Sequence, residues 1–583
     1  MRSFLVLAGA MMCLGVWGQS ARIIVEGTFS DWENVPVAYA DAAGDDGWSG
    51  VDFGRLWMAN DEGWFFLRLE IGPERNLQTD NEITLYIDTD NDPSTGKLFN
   101  GIGAEITYNL GARDGMAHFD GNNFYIDHED IGLVTAPTVT SGVFEIALRR
   151  SSVAAGYAVF PSNTLRVAVK DDISGGDFLP EESGGVSFDF SEDDLPPLPP
   201  FSMTPPAETF RALSYNVLQD QLFDPFSEPA FARIFKALVP DLIGLVEIYD
   251  HGPTDVKNQL EDFLPSAPGQ SWHTAKINPD IVCASRFPIK QAFIIDGEGN
   301  SANGAFLIEL PAPFNSDLLF VVAHTPCCGN DDGRQREIDA IMAFIRDAQT
   351  GAGLPALADK TPIIICGDMN LVGDSQQLHT LLYGDIVNEN LYGSYFIPDY
   401  DGTAFDDAVP IATYTPLGFT WYSESSNFSP GRLDLLVYSG SVLEKKNAFG
   451  LFTPAWPADE LSAYGLEASD VLVASDHLPI VADFGKATPV ATSEPGALLD
   501  FVGEVSPNPV AGPARLRFRL ARPASLTFRI LDAQGRVFWV KKMDTPSSGP
   551  HRLEFETGFL TPGLYFLEMR TARGVVSRRF VVR

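Results

Sequence analysis

A chain of 583 residues is too long for one compact core, and its 45% hydrophobic and 11% aromatic content is ample for several globular domains. The net charge of −38 excludes capture of polyanions by long-range attraction, so any phosphate chemistry here needs a locally bound cation. The excess is uneven: from Pro507 to Arg583 there are 14 Arg and Lys against 5 Asp and Glu, which leaves about −47 on everything before.

Residues 1–20 carry one positive charge followed by an apolar stretch too short for a lone membrane span, and they read as a signal peptide with cleavage near Gly18 to Ala21. Cys13 follows Met12 rather than a small residue, which argues against lipid attachment, and no other run approaches a transmembrane length. The remaining Cys283, Cys327, Cys328 and Cys366 are too few for a disulfide framework. Cys366 reads as strand core; adjacent Cys327 and Cys328 read as loop filler, with a metal or a strained disulfide as the alternatives.

Residues 21–190 alternate short β-rich runs with Gly and Asp clusters, as in Trp64-Phe-Phe-Leu-Arg-Leu-Glu-Ile and Glu82-Ile-Thr-Leu-Tyr-Ile-Asp, and predict a β-sandwich. The stretches Glu26-Gly-Thr-Phe-Ser-Asp-Trp32, Asp45 to Asp52 and Tyr86-Ile-Asp-Thr-Asp-Asn-Asp-Pro-Ser-Thr-Gly96 resemble the family 9 carbohydrate-binding-module-like sandwich, which implies a glycan partner. Asp88, Asp90 and Asp92 alternate as oxygen ligands for calcium would. Pro93 in place of the turn glycine and Phe99 in place of the final Glu reject an EF-hand, leaving a β-sandwich Ca²⁺ site or an acidic hairpin turn. Trp48 and Trp57 offer rings to sugars or to the core.

Six prolines with acids over 191–206 predict a stiff, extended linker. Strand and helix signals then alternate over 207–485: strand Phe210 to Leu218, helix Glu228 to Leu238, strand Asp241 to Ile248, strand Asp317 to His324, amphipathic helix Arg334 to Ala348, strand Thr361 to Asp368, and strands at Arg432 to Tyr438 and Ser475 to Asp483. Many short strands with a few helices predict two packed sheets flanked by helices. A flexible linker over 486–500 leads into 501–583, where only strands remain and a small β-sandwich is expected. Ser506-Pro-Asn-Pro, the Leu531-Asp-Ala-Gln-Gly-Arg turn, Leu560-Thr-Pro-Gly-Leu-Tyr-Phe566 and a basic final strand make this tail similar to the C-terminal sorting domain of type IX secretion. That resemblance implies the secretion machinery as partner and a secreted or cell-surface location.

In 207–485, polar residues recur where the apolar strands stop: Asn216, Glu247, His324, Asp368 with Asn370, Asp434, and Asp476 with His477. Each alone has an ordinary structural explanation. Together, carboxylates for a hard cation, amides to hold oxygens and histidines able to move protons are the parts of metal-assisted phosphoester hydrolysis.

Leu213-Ser-Tyr-Asn-Val, Leu245-Val-Glu-Ile, Ala284-Ser-Arg-Phe-Pro-Ile, Val322-Ala-His-Thr, Cys366-Gly-Asp-Met-Asn, Arg432-Leu-Asp-Leu-Leu and Ala474-Ser-Asp-His-Leu-Pro-Ile occur in the order of the endonuclease/exonuclease/phosphatase superfamily, which the segment resembles. The resemblance implies a four-layer α/β sandwich and hence, for the chain, a multidomain fold of β-sandwich, deoxyribonuclease-like domain and small C-terminal β-sandwich. It makes Glu247 the principal Mg²⁺ ligand (Mn²⁺ or Ca²⁺ as alternatives), with Asn216 and Asp476 completing or supporting the shell. Asp368 would orient the attacking water and Asn370 donate to a phosphoryl oxygen. His477, held by Asp434, would act as general base or phosphate donor, and His324 would donate to phosphate or the leaving oxygen. Val246 where the family often has Gln, and the loop Pro326-Cys-Cys-Gly-Asn-Asp-Asp-Gly333, depart from the pattern. Arg286 reads as a phosphate contact or a structural ion pair. The expected function is a secreted phosphoesterase, foremost a nuclease. Its alternatives are a sphingomyelinase-like or small-molecule phosphoesterase, for which Tyr392-Gly-Ser-Tyr-Phe-Ile397 is the candidate membrane hairpin, and an idle glycan-binding adhesin.

Overall fold

A computed structural model describes residues 20–45, 50–296, 302–487, 499–510, 512–520, 525–532, 537–543, 549–561, 563–571 and 574–583. The expected signal peptide, Trp48 and most of the 486–500 linker lie outside these residues.

Two antiparallel sheets face each other in the N-terminal part. One has the order Val37–Ala40, Arg55–Asn60, Trp64–Arg75, Ser141–Arg149, Val134–Ala136; the other is built around Thr164–Asp171, Ile83–Asp88 and Ile106–Asn109. Alternating residues such as Phe65, Leu67 and Leu69 meet Ile83, Leu85 and Ile87 in a dry core, which is what strand periodicity of two dictates when one face is buried. Trp57 belongs to the apolar interior, 5% exposed and covered by the guanidiniums of Arg55 and Arg68 at 4.9 and 4.3 Å, so it offers no ring to a sugar. Asp92 also departs from expectation: its Oδ1 accepts from the Ser94 N–H and hydroxyl at 2.9 and 2.6 Å, and Glu105 takes its place beside Asp88 and Asp90.

The central part has two six-stranded sheets. Phe210, Ala212, Val246 and Cys283 of the first interdigitate with Phe320, Val322, Ile364 and Cys366 of the second. Helices Glu228–Leu238 and Pro253–Phe263 pack outside the first, Asp331–Thr350 and Ser375–Tyr383 outside the second, which gives four layers. Burial pushes the thiols of Cys283 and Cys366 far above the ordinary range, so both are core filler. Seven strands of the C-terminal part form a three-stranded and a four-stranded sheet around Phe518, Phe528, Leu567 and Phe580.

The N-terminal and central parts share one apolar cluster in which Ile23, Val25, Trp32 and Phe66 meet Leu213, Tyr215, Phe419 and Leu478. Val25 bridges Leu417 in parallel, its N–H donating to Pro416 O and its carbonyl accepting from Gly418 N, each at 2.8 Å. The extended segment 191–206 lies on both bodies: Ser191 N donates to Asn60 Oδ1 at 3.0 Å, while Phe201 packs on Tyr414, Phe449 and Trp456. Its end is held by Arg211, whose guanidinium donates to both oxygens of Asp483 at 2.7 Å and to the carbonyls of Ser202, Met203 and Leu238 at 3.0, 2.6 and 2.8 Å. Arg211 and Asp483 are both fully buried, so truncating one strands the other's charge in the interior. Arg211→Ala is expected to cost about 3–5 kcal/mol, read as a lowered urea midpoint.

Candidate active site

The strand directions explain why distant residues meet. Phe210–Asn216 runs parallel to Leu242–Val246, and Ser316–His324 parallel to Ile363–Asp368, so Asn216, Glu247, His324 and Asp368 all leave the sheets at one edge. Asp434–Tyr438 and Ile480–Lys486 run antiparallel to their neighbours and start at that edge, with Asp434 opposite Asp368 and Ile480 opposite Ser214. Asp434 and the Ser475-Asp-His turn therefore enter where the others exit. Gly367 sits at φ +132°, where a Cβ would stand 1.8 Å from Ala323 O, so only glycine lets the two strands close just before Asp368. Glu247 holds a positive φ of 64°, strained for its type, whereas Asn370 at φ 46° takes a left-handed conformation that Asn tolerates.

Asn216 Nδ2 donates to Glu247 Oε1 at 3.0 Å and Asp368 Oδ2 at 3.2 Å, and lies 3.4 Å from His477 Nε2. Its Oδ1 accepts from Leu218 N at 3.0 Å, so the amide faces the site as a donor that separates two carboxylates. His477 Nδ1 donates to Asp434 Oδ2 at 2.7 Å, and His324 Nδ1 donates to Asp280 Oδ2 at 2.8 Å. Both rings then turn Nε2 towards the same atom, Asp368 Oδ2, at 3.6 Å for His477 and 3.7 Å for His324. Glu247 Oε1 is 3.9 Å from His324 Nε2. Asn370 N donates to Asp368 Oδ1 at 2.9 Å while its side chain donates to Thr325 O at 2.9 Å, so Asn370 fixes Asp368. Asp476 accepts from Trp421 Nε1 at 3.0 Å, and its Oδ1 is buried without a hydrogen-bond partner.

Burial disfavours a charged imidazole, but the carboxylates of Asp434 and Asp368 override it and hold His477 up at about 10. His324 shows the same contest: burial lowers, while Asp280, Asp368 and Glu247 raise it to about 9. Burial in turn raises Asp434. Asp368, Asp434 and His477 offer ligand-type atoms within 4.8 Å of one another. The His477–Asp434 bond uses the ring's Nδ1, however, which makes this a carboxylate–imidazole pair. Glu247 and Asp368 share the Asn216 amide, and Asp476 carries an orphaned buried oxygen; carboxylates of this kind are donors that a hard cation takes.

All eight sequence-predicted residues reach this edge. Asp280, which sequence reading missed, binds both His324 and, through Oδ1 at 2.6 Å, Glu247 N. The available signal was an acid immediately before an apolar strand, Ile281–Ser285, that starts at the edge because it runs antiparallel to Leu242–Val246. Arg286 is elsewhere: it donates to Ser266 Oγ and Leu264 O and lies 4.0 Å over Trp272, a structural role. Cys327 and Cys328 are exposed and unbridged; buried Arg334 holds their loop through Pro326 O and Cys328 O at 3.0 and 2.7 Å.

The N-terminal sandwich braces the loops beside these residues. Gln78 Oε1 accepts from Ser429 N at 2.9 Å, His128 Nε2 meets Ser426 O at 2.8 Å, Thr138 Oγ1 donates to Arg432 O at 3.1 Å, and Asn76 Nδ2 donates to Val372 O at 2.6 Å. Trp421, Asp434 and Asn370 lie on or next to the braced segments.

Residues 213–477 match the Endonuclease/Exonuclease/phosphatase family, to which the central domain is similar; residues 504–583 match the Secretion system C-terminal sorting domain, which indicates type IX secretion to the cell surface or medium. Similar solved structures include ANGEL2, a 2',3'-cyclic phosphatase, in complex with adenosine-2',3'-vanadate (17% identity, 48% of this chain and 96% of that one, TM-score 0.33). Sphingomyelinase C from Streptomyces griseocarneus (15%, 47% and 99%, 0.29) and the AP endonuclease LMAP from Leishmania major (14%, 48% and 89%, 0.28) are others. No curated protein matches the chain.

Both histidines are raised above the ordinary 6.5 in the folded state. Their ion pairs therefore stabilise the fold fully below about 6.5, and that contribution is lost as pH rises through about 9 and then about 10. In EDTA, the unfolding temperature is expected to fall across this window, and His324→Asn is expected to flatten the lower part of the fall.

Proposed function

We propose that the chain is an exported, divalent-metal-dependent phosphodiesterase, foremost an extracellular nuclease. One observation carries the reading: two carboxylate–imidazole pairs aim their free nitrogens at a single Asp368 oxygen, next to Glu247. Glu247 would be the principal ligand for Mg²⁺, with Mn²⁺ or Ca²⁺ as substitutes, Asp476 would add an oxygen and Asn216 would support the carboxylate from inside. The ion, when bound, draws charge from a phosphoryl oxygen.

The protein's own residues do the rest. Asp368, pinned by the Asn370 N–H, orients the water and takes its proton as the water oxygen bonds to phosphorus. His477, a cation at neutral pH while Asp434 holds it, donates to a phosphoryl oxygen as negative charge builds there. This favours the phosphate-donor role over the general-base role. His324 donates its Nε2 proton to the leaving oxygen as the P–O bond breaks, with Asp280 compensating the ring's charge.

Tyr249, two residues after Glu247 and 40% exposed, offers an aromatic face of the kind that accepts bases without regard to sequence, which favours a nucleic acid. The segment proposed as a membrane hairpin serves packing instead: Tyr392 and Phe396 lie against the second sheet's helical layer, and Tyr395 lies under Arg517.

Glu247→Gln and His477→Asn are each expected to lower turnover of a phosphodiester by about 10²–10⁴-fold. Parent-like hydrolysis by both, with matching circular dichroism, overturns the assignment. A panel of plasmid DNA, RNA, sphingomyelin and bis-p-nitrophenyl phosphate, each with Mg²⁺ and with EDTA, tests the substrate class. DNA or RNA is expected to be cleaved fastest, with EDTA abolishing it; sphingomyelin as the preferred substrate refutes the nuclease reading.

A further inference from the structure

We propose that the turn following strand Ile83–Asp88 of the N-terminal sandwich holds a calcium ion through Asp88, Asp90 and Glu105, a site separate from the catalytic edge. These three side chains offer oxygens within 4.8 Å of one another. Asp88 is fully buried; its Oδ2 accepts from Gly103 N at 3.3 Å, while its Oδ1 is buried with no hydrogen-bond partner. Glu105, 3% exposed, accepts from Thr89 N at 2.8 Å and from the Thr95 hydroxyl at 2.9 Å. The Thr95 hydroxyl also lies 3.1 Å from Asp90 Oδ2, and Asp92 N donates to Asp90 Oδ1 at 2.9 Å. Among the described residues none of the three carboxylates has a Lys or Arg partner.

Like charges gathered this closely, two of them buried, repel one another, and a buried carboxylate oxygen without a donor forfeits its hydration for nothing in return. A cation between them removes both costs. The donors are all oxygen, with no thiolate or imidazole, which selects a hard ion over zinc; an irregular turn that gathers side chains from two strands suits the loose coordination of Ca²⁺ better than the strict octahedron of Mg²⁺. The turn is built tightly over this point: a Cβ on Gly103 would stand 2.2 Å from Thr95 O, and one on Gly96 would stand 2.7 Å from Glu105 Oε1. The ion would tie the end of Ile83–Asp88 to the start of its neighbour Ile106–Asn109, where the ladder between them stops.

Other acids on the same sandwich (Asp41, Asp45, Asp52, Asp177 and Glu181) and the catalytic edge also attract cations, so the readout is the loss of one ion. The full chain, stripped with EDTA, is titrated with calcium by calorimetry and melted with and without it. Asp88→Asn and Glu105→Gln are each expected to bind one calcium fewer than the parent and to lose most of the calcium-induced rise in unfolding temperature. Asp90→Asn, at the solvent side of the turn, is expected to lose the same ion and serves if the buried variants fail to fold by circular dichroism. Equal stoichiometry in the parent and the folded variants, or no uptake by the parent at about 10 mM calcium, well above the range of extracellular modules, overturns the proposal. The outcome does not depend on phosphoester hydrolysis.

Discussion

Unbalanced negative charge is the constraint around which the central domain is built. Glu247, Asp280, Asp368 and Asp434 crowd into one edge, and each of the last three lies within hydrogen-bond or ion-pair reach of an imidazole. In a poorly hydrated cleft such acids either take up protons or draw cations to themselves. Here the two histidines are drawn into the cationic form, the Asn216 amide is wedged between two carboxylates, and the outermost acid, Glu247, is left facing the opening. The arrangement that stores this repulsion is also one that a cation would relieve.

The two-sheet architecture is what makes such crowding affordable. Parallel pairs send their ends to the same side, and the antiparallel partners Asp434–Tyr438 and Ile480–Lys486 begin where those ends stop. The apolar strands at the centre of the two sheets provide the rigidity, while the polar residues just beyond them are fixed by short hydrogen bonds such as Asn370 N to Asp368 and Thr420 Oγ1 accepting from Asp434 N at 2.8 Å. Remote stiffness of the core thus becomes positional accuracy at the edge.

Much of this was legible because apolar runs end abruptly at polar residues, and a strand's end is where a sheet exposes chemistry. Asn216, Glu247, His324 and Asp368 announce themselves that way. Asp280 does not: it precedes its strand inside an Asn278-Pro-Asp turn, and only knowing the strand's direction places it beside His324. Trp57 was ambiguous because a strand residue's face depends on register, and register here buries it beneath two arginines. Glu105 escaped notice as Asp88's neighbour because sequence proximity favoured Asp92, whereas the turn folds a residue 17 positions away from Asp88 into that place. Chain distance is a poor guide wherever a hairpin closes.

The contact between the N-terminal sandwich and the loops at Val372 and Ser426–Arg432 changes what the sandwich is. It acts as a buttress for the rim of the cleft, through its loop residues Asn76, Gln78 and Thr138 and the short helix that begins at His128. The shape of that rim is therefore set partly by a module that contributes none of the clustered acids and histidines, and two chains identical at that cluster but different in their sandwiches would present differently shaped doorways.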